Sequence, residues 1–386
     1  MLRNLLILWV AVVSGVLCAN ASAAEGPTID QTARFMAGLP QVDDSSPYKA
    51  RESSSEWQKH QASISSHWKR LVDLRLAEMK KWSASDFQAL QDTSLTMLYP
   101  FSGPDFVSAD TFYPNAPRYV FFALEEIQPL PELASKSDRS AYRSLRAVDV
   151  ALRDIYSKGY FITTHMQRDI EAKEREDAQG QGVLPVFLVF LARTGHEVLS
   201  VERVSASADG TIVAKDDPAA GRVDAVRFRF QDRGSTNVQE LIYFSVNQHD
   251  DGLKRKPGYV AFLNNLGPTN TFMKAASYLL FGRTGEGFVT TRNLILEKSQ
   301  TLFQDDTGMP LKHLDPEVWG LQLYGKYTKP IADFGRSCFQ EDLETLYDKT
   351  PRASIKHLPF SMGYHIVGDG IQNHMVATKK PKAAGE

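Results

Sequence analysis

The stretch Val226-Arg227-Phe228-Arg229-Phe230 places an apolar side chain at every second position, with an arginine between each pair. An alternation of this period is typical of a β-strand that buries one face and exposes the other to water. Two further strands are predicted nearby, over residues 198–204 and 241–246, and Ala208-Asp209-Gly210 is predicted to form a polar turn. Short polar connections favour antiparallel pairing, so this part of the chain predicts three or four antiparallel strands.

Working outward, helical periodicity flanks these strands on both sides. Apolar residues at intervals of three and four predict helices over residues 64–82 and 145–155, with strands over 94–101 and 118–127 between them. Downstream, residues 271–280 predict another helix, because several apolar side chains share one face: Phe272, Met273, Ala276, Leu279 and Leu280. The mixed order predicts the α+β class, with an antiparallel or mixed sheet flanked by helices.

The N-terminus has the order of a secretory signal peptide. Arg3 gives a short basic start, residues 5–13 form an apolar run that Val16 and Leu17 extend, and small residues follow. Cleavage is predicted after Ala23, with Ala21 as the alternative, and the predicted location is periplasmic or secreted. A membrane anchor is less favoured, because the apolar run is shorter than the roughly 20 residues of a spanning helix. Lipidation at Cys18 is also less favoured, because the preceding residue is a bulky leucine.

The remaining chain divides by composition. We expect a signal peptide over residues 1–23, a weakly structured segment over 24–56, an α+β body over 57–376 and a flexible tail over 377–386. The charged and glycine-containing stretch 171–182 is the candidate boundary between two subdomains, although the strands on either side are equally compatible with one sheet. The apolar run that follows it contains Pro185 and is too short to cross a membrane, so it predicts a buried core element and no span after cleavage.

Composition and motifs exclude several classes of function. Hydrophobic residues make up 42% of the chain and charged residues 23%, which is the composition of a folded globular protein. The formal charge of -2 lacks the basic excess expected of a nucleic-acid binder. No glycine-rich nucleotide motif, no H-E-x-x-H and no Cys/His zinc spacing occurs. The sequence therefore predicts neither a cofactor nor a metal.

Two polar turns carry the candidate ligand-binding residues. The first, Tyr99-Pro100-Phe101-Ser102-Gly103-Pro104-Asp105-Phe106, follows a predicted strand, and loops held by rigid elements often bind ligands. The second, Asp305-Asp306-Thr307-Gly308, offers two carboxylates for a cation or a sugar hydroxyl. Both turns also have a purely structural interpretation, because these residue types favour turns. The candidates are Ser102, Asp105, Asp110, Tyr113, Asn115, Asp305 and Asp306.

Three partial motifs lack what their chemistry requires. The Asp-Thr-Gly triplet at 306–308 has no second copy to supply the carboxylate pair of an aspartic protease. Thr271-Phe272-Met273-Lys274 imitates an S-x-x-K motif without its partner motifs, and Lys274 is expected to be solvated opposite the apolar face. His357, His365 and His374 are close in sequence, and whether they converge stays open. No catalytic residue is assigned.

Four stretches, 99–106, 182–195, 271–280 and 304–310, together resemble an uncharacterised group of exported bacterial proteins. The resemblance covers most of the mature chain and implies no activity, substrate or site residue. Two functional hypotheses follow. The first is an exported cell-envelope protein that binds a small polar ligand or a partner. The alternative is a periplasmic hydrolase with carboxylate or serine chemistry, which requires 102–115 and 304–307 to meet in one concave surface.

Overall fold

The computed structural model describes residues 26–130, 132–159, 182–281, 286–327, 330, 334, 338–360, 362–364 and 373–381. The predicted signal peptide with its cleavage sites, His365 and all but the last residue of the predicted boundary 171–182 lie outside these residues.

Ten strands of the described chain form one mixed sheet, which confirms the predicted α+β class. The strands follow the order β4-β3-β5-β6-β2-β1-β7-β8-β10-β9 across the sheet. They are β1 (Thr96–Pro100), β2 (Arg118–Ala123), β3 (His196–Ala206), β4 (Ile212–Ala214), β5 (Asp224–Asp232), β6 (Val238–Ser245), β7 (Thr269–Met273), β8 (Ser299–Asp305), β9 (Trp319–Tyr324) and β10 (His374–Lys379). Strands on both sides of the predicted boundary therefore belong to the same sheet.

The described α-helices cover both faces of this sheet. They are α1 (Ile29–Met36), α2 (Ser55–Leu71), α3 (Ala77–Trp82), α4 (Phe106–Phe112), α5 (Asp138–Ala151), α6 (Arg153–Lys158), α7 (Val183–Arg193), α8 (Asp250–Leu253), α9 (Pro257–Asn264), α10 (Val289–Lys298) and α11 (Glu341–Lys349). The segment predicted to be weakly structured contains α1, which begins with a capping box between Thr28 and Gln31. Within the described residues, no helix is both long and apolar enough to span a membrane.

The centre of the sheet is parallel. Strands β6, β2, β1, β7 and β8 are neighbours and run in the same direction, whereas β3, β5 and β6 pair antiparallel, as the alternation of 226–230 predicts. In the sheet, β2 lies on one side of β1, and β7 and then β8 lie on its other side. In open sheets of this doubly wound order, ligands bind outside the carboxyl ends of the strands at the point where the order reverses. That point lies between β1 and β7.

Packing on the two faces follows this reversal. Helices α1 to α7 pack on one face with the rings of β2 and β5, and α7 is buried along almost its whole length. Its Phe187 ring contacts the rings of Phe121, Phe228 and Tyr243. Side chains of α9, α10 and α11 contribute to the clusters on the opposite face. Three layers result, and each strand of the parallel centre is buried on both sides.

Two strands differ from the sequence prediction. Residues 269–273 form β7 rather than the start of a helix, and all five are buried. A strand covered on both faces shows no alternation, so its short apolar run cannot be told from a buried helical segment by periodicity alone. At the other end, β10 extends through Ala377, Thr378 and Lys379, which belong to the predicted tail. These residues pair with β8 or β9, and Ala377 is fully buried.

Candidate functional site

Three loops meet at the carboxyl edge of the parallel strands. They follow β1, β7 and β8, and β10 enters the sheet at the same edge because His374 pairs with Asp305. Four of the seven predicted residues lie in or beside these loops: Ser102, Asp105, Asp305 and Asp306. The other three are carried away from this edge by α4 and the turn that follows it. The structure thus brings the two predicted acidic turns to one edge and separates them from Asp110, Tyr113 and Asn115.

An ion pair between Asp105 and Lys274 joins the β1 and β7 loops. Lys274 Nζ lies 2.5 Å from Asp105 Oδ2, and both side chains are only 2% exposed. The ammonium also donates to the Ser108 hydroxyl at 3.0 Å and to the Gly159 carbonyl at 2.6 Å. Asp105 accepts from the Tyr99 hydroxyl at 2.9 Å, and burial together with this carboxylate raises the Tyr99 pKa well above its ordinary value. The expectation of a solvated Lys274 is therefore wrong, because the residue follows a central strand.

Backbone strain is concentrated in the same two loops. Every non-glycine residue with positive φ in the described chain lies there: Phe101 (57°), Ala275 (54°), Ser277 (56°) and Tyr278 (54°). Left-handed backbone costs an L-residue roughly 1–2 kcal/mol, since Cβ crowds the following carbonyl. Such strain persists only where surrounding contacts impose it, and it is frequent at ligand sites.

The β8 turn supplies those contacts. Asp305 accepts from the backbone N–H of Ala275 at 3.0 Å, and Tyr278 donates its backbone N–H to the Thr307 carbonyl at 3.2 Å. The Tyr278 hydroxyl donates to Asp306 Oδ2 at 2.6 Å. Asp305 also accepts from the Thr307 backbone at 3.0 Å. The Asp-Asp-Thr sequence is thus a turn, and its polar groups hold the strained β7 loop in place.

A pocket lies beside this turn, between the ends of β8 and β10 and helix α11. It covers about 220 Å³ of non-atom space that includes open solvent, and its cavity volume is about 10 Å³, the room of roughly one water molecule. Its polar wall consists of Asp305, Asp306, Gln304, Gln340, Asn373, His374 and Tyr347, and its apolar wall of Met309, Leu343 and Met375. Apolar walls with a few polar groups are the usual lining of a small-molecule site, and in size this pocket is much smaller than the roughly 300–1,000 Å³ of such sites.

Asp306 and Asn373 dominate the chemistry of this pocket. Burial, and then the charge of Asp305, raises the pKa of Asp306 to about 8, which favours the neutral form of its carboxyl group. The Asp306 backbone N–H donates to Asn373 Oδ1 at 3.0 Å, which fixes the orientation of the amide. Asn373 is 3% exposed, and its Nδ2 has no hydrogen-bond partner in the described part of the chain. Asn373 lines the pocket, and its Nδ2 carries two N–H donors.

The other predicted residues have structural partners. The Ser102 hydroxyl donates to the Gly103 carbonyl at 2.7 Å, so it is not held by a base. Asp110 lies 3.0 Å from His196 Nε2 and is buried with it. The Tyr113 hydroxyl donates to the Thr271 carbonyl at 3.4 Å. Of Asp110, Tyr113 and Asn115, only Asn115 is exposed.

That exposed residue, Asn115, borders a second small pocket at the amino edge of the sheet, with Gln91 and Asn270 among its lining residues. Its surroundings lack ionisable side chains other than a tyrosine, since the pocket is otherwise lined by glutamines, asparagines, a threonine and small residues. The two pockets thus lie at opposite edges.

Sequence reasoning misses Lys274 and Asn373. The helical pattern places Lys274 on a helix surface, and only its position directly after a buried strand signals a role at the sheet edge. Asn373 carries no motif at all. Of the three C-terminal histidines, His374 is buried in the pocket wall and His357 is exposed. In the ranges that the structure describes, no three His, Cys, Asp or Glu side chains form a group able to hold a metal ion.

Comparisons of the chain with protein-family models, with curated proteins and with solved structures found no match.

Proposed function

We propose that this chain is a binding protein for a small polar ligand, which it holds in the pocket between β8, β10 and α11. The observation that carries the proposal is Asn373 Nδ2, a buried donor of a pocket-lining residue that has no partner among the described residues. A buried polar group left unpaired costs about 1–3 kcal/mol. A ligand that accepts a hydrogen bond from Nδ2 recovers this free energy.

Position and strain support the same pocket. It lies at the carboxyl edge of the parallel strands, beside β8 and therefore one strand away from the reversal between β1 and β7 where doubly wound sheets bind their ligands. The strained loop at 275–278 touches Asp305 and Asp306 on the other side of the turn. Polypeptide chains rarely retain left-handed alanine, serine and tyrosine in one loop unless the geometry has a use.

The place of action follows from the N-terminus. The basic, apolar and small-residue order of residues 1–24 supports export to the periplasm or beyond, where the ligand is a component of the cell envelope or its surroundings. Fractionation of native cells, followed by N-terminal sequencing, tests this. We expect a periplasmic or secreted chain that starts at Ala24. A cytosolic chain that retains Met1 contradicts it.

Ligand-observed NMR tests the binding function. The mature chain is mixed with small neutral, cationic and anionic polar compounds, and Asn373→Leu is compared with Asn115→Leu, the same change in the other pocket. We expect at least one class to bind, the Asn373 variant to lose that binding and the Asn115 variant to keep it. A chain that binds none of the compounds, or whose binding ignores Asn373, refutes the proposal.

The predicted hydrolase requires residues 102–115 and 304–307 to share one concave surface, and no residue of 102–115 lines this pocket. A hydrolase that uses the carboxyl groups of 304–307 alone is the second candidate, and one observation favours it. Asp306 lines the pocket, and its raised pKa favours the protonated form that a general acid requires. Asp305, the neighbouring carboxylate, already accepts hydrogen bonds from Ala275 and Thr307. Turnover of any bound compound that disappears in Asp306→Asn, while binding persists, supports the hydrolase. Binding without turnover supports the binding protein.

A further inference from the structure

We infer that the open sheet face of this chain binds the same face of a second copy, in a weak twofold dimer. The open sheet face belongs to β3, β5, β6 and the start of β2, toward the amino edge of the sheet. It is formed by the side chains of Ser200, Glu202, Arg229, Val238, Glu240 and Arg118. These strands lie in the other half of the sheet from β8 and β10, so the inference does not depend on the proposed ligand.

Helix α9 packs on the same side of the sheet, further toward the carboxyl edge. Its Tyr259 and Phe262 belong to one apolar cluster with Val204, Ala225 and Ile242 of the strands. Because successive side chains of a strand point to opposite faces, the residues two positions further toward the amino edge face the same side. These positions and the next ones carry mostly polar and charged side chains, so the apolar cluster ends there and the open sheet face begins.

A row of cross-strand neighbours runs across the open sheet face. Ser200 of β3 is opposite Arg229 of β5, and Arg229 is opposite Glu240 of β6. Glu240 is in turn beside Arg118 of β2, whose Nε donates to Glu240 Oε1 at 2.8 Å. The guanidinium of Arg229 is exposed and has no hydrogen bond or ion pair within the described part of the chain. Five N–H donors are therefore open to a partner on this face.

The row is complementary to itself in charge. A twofold axis that runs parallel to the strands, between β5 and β6, places Arg229 of one copy opposite Glu240 of the other and the reverse. The same axis places Ser200 opposite Arg118, so no like charges of this row meet. A partner of one charge sign would instead meet a like charge at either Arg229 or Glu240. The alternation of charges therefore favours a second copy of this chain over a uniformly acidic or basic protein.

Two exposed apolar side chains add to the contact. Val238 is 48% exposed on β6, and Leu199, the extra residue of the bulge in β3, is 41% exposed. With strands about 4.8 Å apart and a two-residue repeat of about 6.8 Å, four strands and three rows cover about 400 Å² on each copy. The total of about 800 Å² is less than the roughly 1,200–2,000 Å² of stable complexes. We therefore expect a reversible dimer with a Kd of the order of 100 µM.

Sedimentation equilibrium of the mature chain, from about 10 to about 500 µM, tests the inference. We expect the average mass to rise from that of a monomer toward that of a dimer as the concentration increases. The association should weaken between about 50 mM and about 500 mM salt, because salt screens the two ion pairs.

Two charge reversals test the pairing itself. Arg229→Glu places two like charges opposite each other twice in the dimer, and so does Glu240→Arg; each should raise the Kd at least about tenfold. An equimolar mixture of the two variants should associate again, because every contact between the different chains then joins opposite charges. The matched control is Arg352→Glu, an exposed arginine near β9 at the other end of the sheet, which should leave the Kd unchanged.

The mixture also guards against misfolding, since an unfolded variant cannot restore association, and circular dichroism checks each variant alone. If Glu240→Arg does not fold, Arg229→Glu decides, because its side chain is exposed and unpaired in the described chain. A wild-type chain that stays monomeric up to about 500 µM at low salt overturns the inference. A dimer that ignores both reversals, or a mixture of two folded variants that does not associate, overturns it as well.

Discussion

Replacement of Lys274 by methionine tests the view that the Asp105–Lys274 pair holds the carboxyl edge together. Methionine has a side chain of similar length to that of lysine, but it is apolar throughout and lacks the ammonium group. The change leaves the Asp105 carboxylate buried with the Tyr99 hydroxyl and a backbone N–H, and without a cation. It also removes the hydrogen bonds from Nζ to Ser108 and Gly159.

The magnitude follows from the burial of both partners. Loss of one member of a buried ion pair typically costs about 3–5 kcal/mol, because the remaining charge has no compensation. Since both side chains are 2% exposed, solvent cannot reach the stranded carboxylate, and we expect Lys274→Met to fall in this range. Against a total stability of about 5–15 kcal/mol for an ordinary domain, the change is large.

Urea denaturation followed by circular dichroism measures this loss. A double variant, Asp105→Asn with Lys274→Met, removes the stranded charge as well and should recover a large part of the lost free energy. If Lys274→Met costs less than about 1 kcal/mol, a value typical of exposed pairs, the pair is solvated and the reasoning fails. A double variant that is no more stable than the single one would also refute it, because no stranded charge would then have been relieved.

Three further predictions concern stability. The pKa of Asp306 is about 8 in the folded chain against an ordinary 3.8, so the folded chain binds this proton more tightly than the unfolded chain. The free energy of unfolding should therefore fall as pH rises from about 4 to about 8. Urea denaturation of Asp306→Asn at the same pH values should show a smaller fall. Gly210→Ala places Cβ 2.4 Å from the backbone nitrogen of Phe262, so it should lower the urea midpoint more than Gly234→Ala, whose φ is similar but whose surroundings are open; equal losses contradict the steric argument. Phe187→Ala should lower the free energy of unfolding by about 3–5 kcal/mol in the same measurement. A loss below about 1 kcal/mol would mean that the surrounding side chains move in to fill the cavity.

The strands that can be predicted from the sequence are those with one solvent-exposed face. Strand β5 alternates because Arg227 and Arg229 reach towards solvent while Phe228 and Phe230 are buried, so its period is visible. Strand β7 has no wet face, and its five residues are all buried. Local pattern therefore identifies the antiparallel half of the sheet and misassigns a strand in its parallel centre, where tertiary burial decides the conformation.

The candidate site is predictable in part, for a similar reason. Asp105, Asp305 and Asp306 belong to turns that follow apolar strands, and this local signal places them at the sheet edge. That the two turns meet depends on β1, β7 and β8 being neighbours, which no local pattern reveals. Asn373 joins them only because β10 pairs with β8, a contact between residues about seventy positions apart.

The position of β10 has a consequence for how the chain is made. Residues 374–379 fill the gap between two strands that leave the ribosome earlier, and they pair with both. Until this segment emerges, β8 and β9 of the nascent chain each have an unpaired edge, and the hydrogen bonds on that side of the sheet cannot form. Completion of this side of the sheet must therefore wait until residues 374–379 have been synthesised, after both of the strands that they join.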